Sequence, residues 1–188
     1  MVRWEPDARG RLQEAAMALY GERGFDNTTV AEIAERAGLT ERTFFRHFAD
    51  KREVLFDGAA ALQDLLVNTV ADAPESLAAM DAVGEALEAA GRLMGDHRDF
   101  SRQCQAIIAA SAELRERELI KLASLSAALA DTLRRRGVPE PDASLTAEAG
   151  IAVFRIAFER WVDEGNEMQL PDLMRDSLGH LRAVTAGA

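Results

Sequence analysis

The chain has 188 residues, a formal net charge of −10 and a single cysteine. That lone residue, Cys104, excludes an internal disulfide framework and any paired-cysteine zinc site, and reads as a small buried apolar side chain. No apolar run reaches the roughly 18 residues of a spanning helix, and the opening "MVRWEPDARGR" has no apolar h-region. A soluble, cytoplasmic protein with no membrane partner is therefore expected, its length suiting one substantial domain or a small domain joined to a larger one.

The charge is unevenly spread. Residues 1–52 carry 9 Lys+Arg against 9 Asp+Glu, whereas residues 53–188 carry 13 against 23, which is the whole deficit of 10. Within 40–52 the balance turns positive, with Arg42, Arg46, Lys51 and Arg52 against Glu41 and Asp50. Because screening confines surface charges to about 8 Å at physiological salt, a basic patch on an acidic body can still hold phosphate.

The composition is rich in Ala, Leu, Glu and Arg, so helices are predicted throughout. Leu12, Ala15, Ala16, Leu19 and Tyr20 form one stripe after Pro6, a residue suited to a first helical turn. In "TTVAEIAERAG", Thr29 and Glu32 make a capping box, and Gly38 stops the helix. Thr40 caps a very short third helix anchored by Phe44 and Phe48. Asp50 and Glu53 are a second capping box, predicting a long fourth helix from Asp50 through Leu55, Ala59, Leu62 and Leu66 to about Asp72. Longer helices follow over 76–95, 99–111, 113–136, 142–165 and 170–184. The expected fold class is all-α with about nine helices, divided into a small three-helix head, residues 1–52, and a helical body, residues 53–188.

Two short helices joined at "AGLT" match a helix-turn-helix, whose second helix lies in the DNA major groove. With Phe44 and Phe48 turned to the core, Glu41, Arg42, Thr43, Phe45, Arg46 and His47 occupy the other faces. Arg42 and Arg46, one turn apart, suit guanine O6/N7 or phosphate, and Lys51 a phosphate.

The run "TTVAEIAERAGLTERTFFRHFADKREVL" resembles the DNA-binding signature of the TetR family of bacterial regulators, the likeness covering about residues 10–56. The resemblance implies phosphate-contacting roles for Thr29, Thr40, His47 and Lys51, and groove-facing roles for Arg42, Thr43, Phe45 and Arg46. Two positions depart from the family's pattern. Phe45 stands where a tyrosine is common, so a hydroxyl contact to phosphate is missing, and Glu41 stands where a polar or basic residue is common, its carboxylate being suited only to a cytosine N4 donor.

For the body, the resemblance implies a homodimer built on the last two helices and a pocket for a small effector. The apolar stripes offered for dimerisation are Ile151, Phe154, Phe158, Trp161 and Val162, then Leu170, Leu173, Met174, Leu178 and Leu181. Candidate effector contacts are Leu87, Leu93, Met94, Phe100, Cys104, Ile107, Ile108, Leu122, Leu125 and Phe158, which point to an apolar or aromatic molecule. The segment "GDHRDF", with Asp96, His97 and Asp99, reads as a helix boundary rather than a metal or acid/base site, and no cofactor is expected.

The leading expectation is a ligand-responsive repressor that binds a palindromic operator as a homodimer and is released when the effector tilts the fourth helix. A DNA-binding regulator without a small-molecule ligand is the alternative. An all-helical enzyme using the head as scaffold has little support, for no GxGxxG, P-loop, HExxH or GxSxG motif is present.

Overall fold

The computed structural model describes residues 8–187, so the expected role of Pro6 lies outside the described residues. Among the described residues the chain forms nine α-helices and no strand: α1 Ala8–Arg23, α2 Val30–Arg36, α3 Glu41–His47, α4 Ala59–Asp72, α5 Ala79–Met94, α6 Arg98–Ala110, α7 Ala112–Arg135, α8 Asp142–Val162 and α9 Leu170–Thr185, with a short 3-10 turn at Gly95–His97 before α6. It divides into two compact units, one of Met1–Asp57 with Gln103–Glu118, the other of Gly58–Arg102 with Leu119–Ala188. The expected cut after residue 52 thus falls short of Asp57 and omits a later segment that returns to complete the head.

That segment is the end of α6 and the start of α7. Cys104, Ile107, Ile108 and Leu114 enter one apolar cluster with Leu12, Met17 and Tyr20 of α1, Ile33 of α2 and Phe44 of α3. Below 60 residues a three-helix unit buries too little surface for ample stability, and the added apolar side chains enlarge its core. Ion pairs lock the segment in place: Arg52 meets Glu113 at 3.0 Å and Arg117 meets Glu53 at 2.6 Å.

The fourth helix starts later than the second capping box predicts. Asp50 Oδ1 does accept from the N–H groups of Arg52 (2.8 Å) and Glu53 (3.2 Å). The Glu53 carboxylate accepts from Arg117. Val54 and Leu55 are drawn into the head core, the chain turns through Leu55 N–H to Arg52 O and Phe56 N–H to Glu53 O, and helical bonding resumes at Gly58.

In the second unit α5 packs against α4, α8 and α9. Its approach to the α9 start requires Gly91, where a Cβ would come within 2.8 Å of the Pro171 backbone nitrogen. Helix ends here are closed by arginines. Arg136 donates to the carbonyls of Val70, Ala73 and Pro74 at the end of α4, while Arg102 donates to Val162 O and Arg98 to Asp163 O and Asn166 O at the end of α8. These carbonyls lack partners within their helices, and a cation there also meets the negative end of the helix dipole.

Candidate nucleic-acid interface

Both short helices of the head are fixed by local chemistry. Thr29 caps α2 by accepting from Glu32 N–H, and Glu32 Oε2 accepts in return from the Thr29 N–H at 2.9 Å; that bond holds the Glu32 carboxyl below its ordinary range. The α2 end closes as a Schellman turn, with Gly38 N–H bonded to Glu35 O and Leu39 N–H to Ala34 O. Gly38 takes φ +66°, a value that glycine adopts without strain. Thr40 then caps α3 by accepting from Thr43 N–H at 3.2 Å.

Phe44, fully buried, and Phe48, 3% exposed, anchor α3 with ring centroids 5.5 Å apart. Beneath it, the Tyr20 hydroxyl donates to Lys51 O at 2.6 Å, and burial pushes that phenol well above its ordinary range. The Lys51 ammonium donates to Phe25 O (2.8 Å) and Thr28 O (2.9 Å) and sits 4.2 Å from the Phe25 ring centroid. Lys51, expected as a phosphate contact, therefore has two of its three donors committed to closing the loop between α1 and α2.

At about 100° per residue, the direction opposite Phe44 falls between Arg42 and Arg46, with Phe45 on one flank and Thr43 on the other. Arg42 and Arg46 are both exposed, and Phe45 is 55% exposed. Thr43 is half-buried, its hydroxyl 3.1 Å from that of Thr40. His47 is half-buried with a buried Nε2 that has no hydrogen-bond partner among the described residues.

A contrast in charge pairing singles out this face. Arg9 pairs with Asp57, Arg23 with Glu32, Arg36 with Glu22 and Arg52 with Asp50 and Glu113, while Arg11 donates to Ala37 O. The Arg52 guanidinium holds the Asp50 carboxyl below the ordinary carboxylate range. Among the described residues, Arg42 and Arg46 are the two cations with no hydrogen bond or ion pair. Sequence reading placed these two correctly at the surface but missed the inward turn of Lys51 and the pairing of Arg52. The Lys51 turn leaves no sequence signal, because its partners are backbone carbonyls; of the two Arg52 partners, Asp50 is a near neighbour in sequence, whereas Glu113 lies 61 positions away.

The expected effector contacts are divided between the two units. Leu87, Met94, Leu122, Leu125 and Phe158 belong to the core cluster of the second unit, whereas Cys104, Ile107 and Ile108 lie in the head core. Leu93 and Phe100 are exposed, at 52% and 38%. Cys104 Sγ lies 3.8 Å from Met17 Sδ, and burial pushes its thiol up to about 12. A depression of about 210 Å³ in the second unit is lined instead by Ala123, Ser126, Ala127, Ala130, Arg134, Ser144 and Glu148.

The expected dimer residues are buried within the single chain. Ile151, Phe154, Trp161, Leu170, Leu173, Met174 and Leu178 are all at most 8% exposed within one chain, with Leu181 packed against them. They are the side on which α8 and α9 pack into their own unit. The outward face of α8 is a second apolar stripe that periodicity hid behind the stronger one: Leu145 (63% exposed), Ala149, Ala152 and Ile156 (46%).

A capped pair of short helices presenting two unpaired arginines, carried with a larger helical unit, defines a helix-turn-helix protein of the regulator type. Two family models match: "Bacterial regulatory proteins, tetR family" over residues 12–57 and "MftR C-terminal domain" over residues 77–186. The chain belongs to the TetR family.

Its curated relatives include the transcriptional regulator TcmR of Streptomyces glaucescens, 33% identical over 91 residues that make up 48% of this chain and 39% of TcmR. Another is the transcriptional repressor KstR2 of Mycobacterium tuberculosis, 37% identical over 70 residues, 37% of this chain and 35% of that protein. The matched stretches thus span well under half of these relatives, which are regulators and not enzymes. Similar solved structures include SmeT in complex with triclosan (TM-score 0.68, 21% identity, covering 94% of this chain and 90% of that one). The repressor FadR of Thermus thermophilus in complex with lauroyl-CoA is also similar (TM-score 0.57, 24% identity, 93% of each chain). At these identities the two structures establish the shared fold.

Proposed function

We propose that this protein is a transcriptional repressor that grips a palindromic DNA operator as a homodimer, acts in the cytoplasm, and is released by a small apolar or aromatic effector. The observation that carries the DNA contact is the pair of unengaged arginines on the outward face of α3, in a chain whose other described cations are occupied. Desolvating Arg42 and Arg46 against guanine edges or phosphates breaks no existing ion pair. Thr29, Thr40, Thr43 and His47 flank that face as backbone contacts, with the third Lys51 donor beside them, and Phe45 enters the groove.

Dimerisation is assigned to the outward stripe of α8, Leu145, Ala149, Ala152 and Ile156. Two-fold pairing of heads suits half-sites about one helical turn apart. Effector control draws its support from the relatives: the similar SmeT and FadR structures hold triclosan and lauroyl-CoA. In this chain any change in the second unit reaches the head along three chain crossings, at residues 57–58, 102–103 and 118–119. Two of these lie inside the continuous helices α6 and α7, which act beside α4 as the levers of release.

The test is a selection from fragmented bacterial genomic DNA at about 0.15 M salt, because affinity that comes from phosphate contacts depends steeply on salt. Enrichment of a few palindromic sites, lost in the Arg42→Ala/Arg46→Ala variant, is the expected result. Equal enrichment by both proteins refutes the assigned face.

A further inference from the structure

Phe45 is the one feature of the α3 face that the arginines do not explain. Its ring is 55% exposed, and its position is held rather than loose: it meets the buried Phe44 ring edge-on, with centroids 5.5 Å apart and planes at 84°. Phe44 is itself fully buried and packs against Phe48 with its ring tilted by 42°. At about 100° per residue, Phe45 lies next to Arg42 around the helix and one step before Arg46 along it.

In the major groove an apolar side chain finds one complementary group, the 5-methyl of thymine. A phenyl ring has no donor or acceptor, so phosphate and the polar base edges offer it nothing. The neighbouring arginines suit guanine O6 and N7.

We infer that Phe45 is a specificity-determining residue that packs on a thymine methyl, so that each operator half-site carries a thymine within a base pair or two of a guanine read by Arg42 or Arg46. This inference rests on the DNA-binding reading above and names the base chemistry of that site.

The test uses the full-length protein with two random-core duplex pools, one with ordinary thymine and one with deoxyuridine in its place, which lacks only the methyl. From the thymine pool, wild type enriches a guanine with a thymine close by. Replacing that thymine with deoxyuridine in the enriched duplex weakens binding about fourfold, the worth of one buried methyl group, whereas thymines elsewhere in the duplex are indifferent. Phe45→Ala binds the two duplexes alike, at the wild-type affinity for the deoxyuridine form, and Phe45→Leu keeps part of the discrimination. All three proteins have the same far-ultraviolet circular dichroism and melting temperature within about 3 °C, since exposed positions rarely matter to stability.

Two results overturn the inference and are told apart. If wild type enriches guanine-containing sites but ignores the thymine-to-deoxyuridine change, Phe45 does not read a methyl and the DNA-binding reading stands. If neither pool yields enrichment dependent on Arg42 and Arg46, the DNA-binding reading falls and this inference with it.

Discussion

The head and the second unit handle charge in opposite ways. In the second unit the arginines are spent on structure: Arg136, Arg98 and Arg102 close helix ends, and Arg160 and Arg175 pair with Asp176 and Glu88. Among its described residues the head does the same except on α3, where Arg42 and Arg46 stand without partners. The difference teaches where to look for function in an acidic protein. Net charge carries no information about the partner, whereas the few cations that the fold leaves unoccupied do.

The comparison breaks most readily at its anchor. Phe44→Ala removes a fully buried ring from a small core and is expected to cost about 3–5 kcal/mol, read as a drop in the denaturation midpoint together with loss of DNA binding. Arg46→Ala should weaken DNA binding by about 1–3 kcal/mol and relax specificity at one position of each half-site, with the melting temperature unchanged. Lys51→Ala separates the two kinds of cation: its ammonium ties two carbonyls of the α1–α2 loop, so the variant should lose head stability by about 1–3 kcal/mol as well as affinity. A variant that lost affinity alone would put Lys51 back among the purely DNA-facing residues.

Leu145→Asp with Ile156→Asp should shift the dimer toward monomer in sedimentation without lowering the far-ultraviolet helical signal, whereas Trp161→Ala should unfold the chain. The smallest effects concern pH. Asp50 has a lowered folded-state pKa, so its contribution is complete above the unfolded value of about 3.9 and disappears as pH falls through the lower folded value. Asp50→Asn should therefore flatten the acid limb of the stability curve. Cys104, pushed up to about 12, stays a thiol in the fold while the unfolded chain ionises at about 8.5. Stability should decline above that pH, and native Cys104 should resist alkylation at pH 8 until the head opens.

Much of the head was legible because its signals are local. The Thr29–Glu32 box, Gly38, the Thr40 cap and the Phe44–Phe48 pair each lie within a few residues of what they control. The parts that were not legible are long-range. Val54 and Leu55 belong to the head core and α4 begins only at Ala59, and the return of residues 103–118 to the head puts Cys104, Ile107 and Ile108 in that same core. On α8, hydrophobic periodicity named the more apolar face, which is buried within the single chain, and the proposed dimer stripe is visible only from exposure.

The most direct test of the account is the binding isotherm of wild type and Arg42→Ala/Arg46→Ala on one selected duplex across a salt series, with melting curves of both proteins alongside. The variant is expected to melt like wild type, to lose about a hundredfold or more in affinity, and to show a shallower salt slope if either arginine meets phosphate. Wild-type affinity in a variant of unchanged stability would contradict it, because the two unoccupied arginines would then not be what holds the DNA.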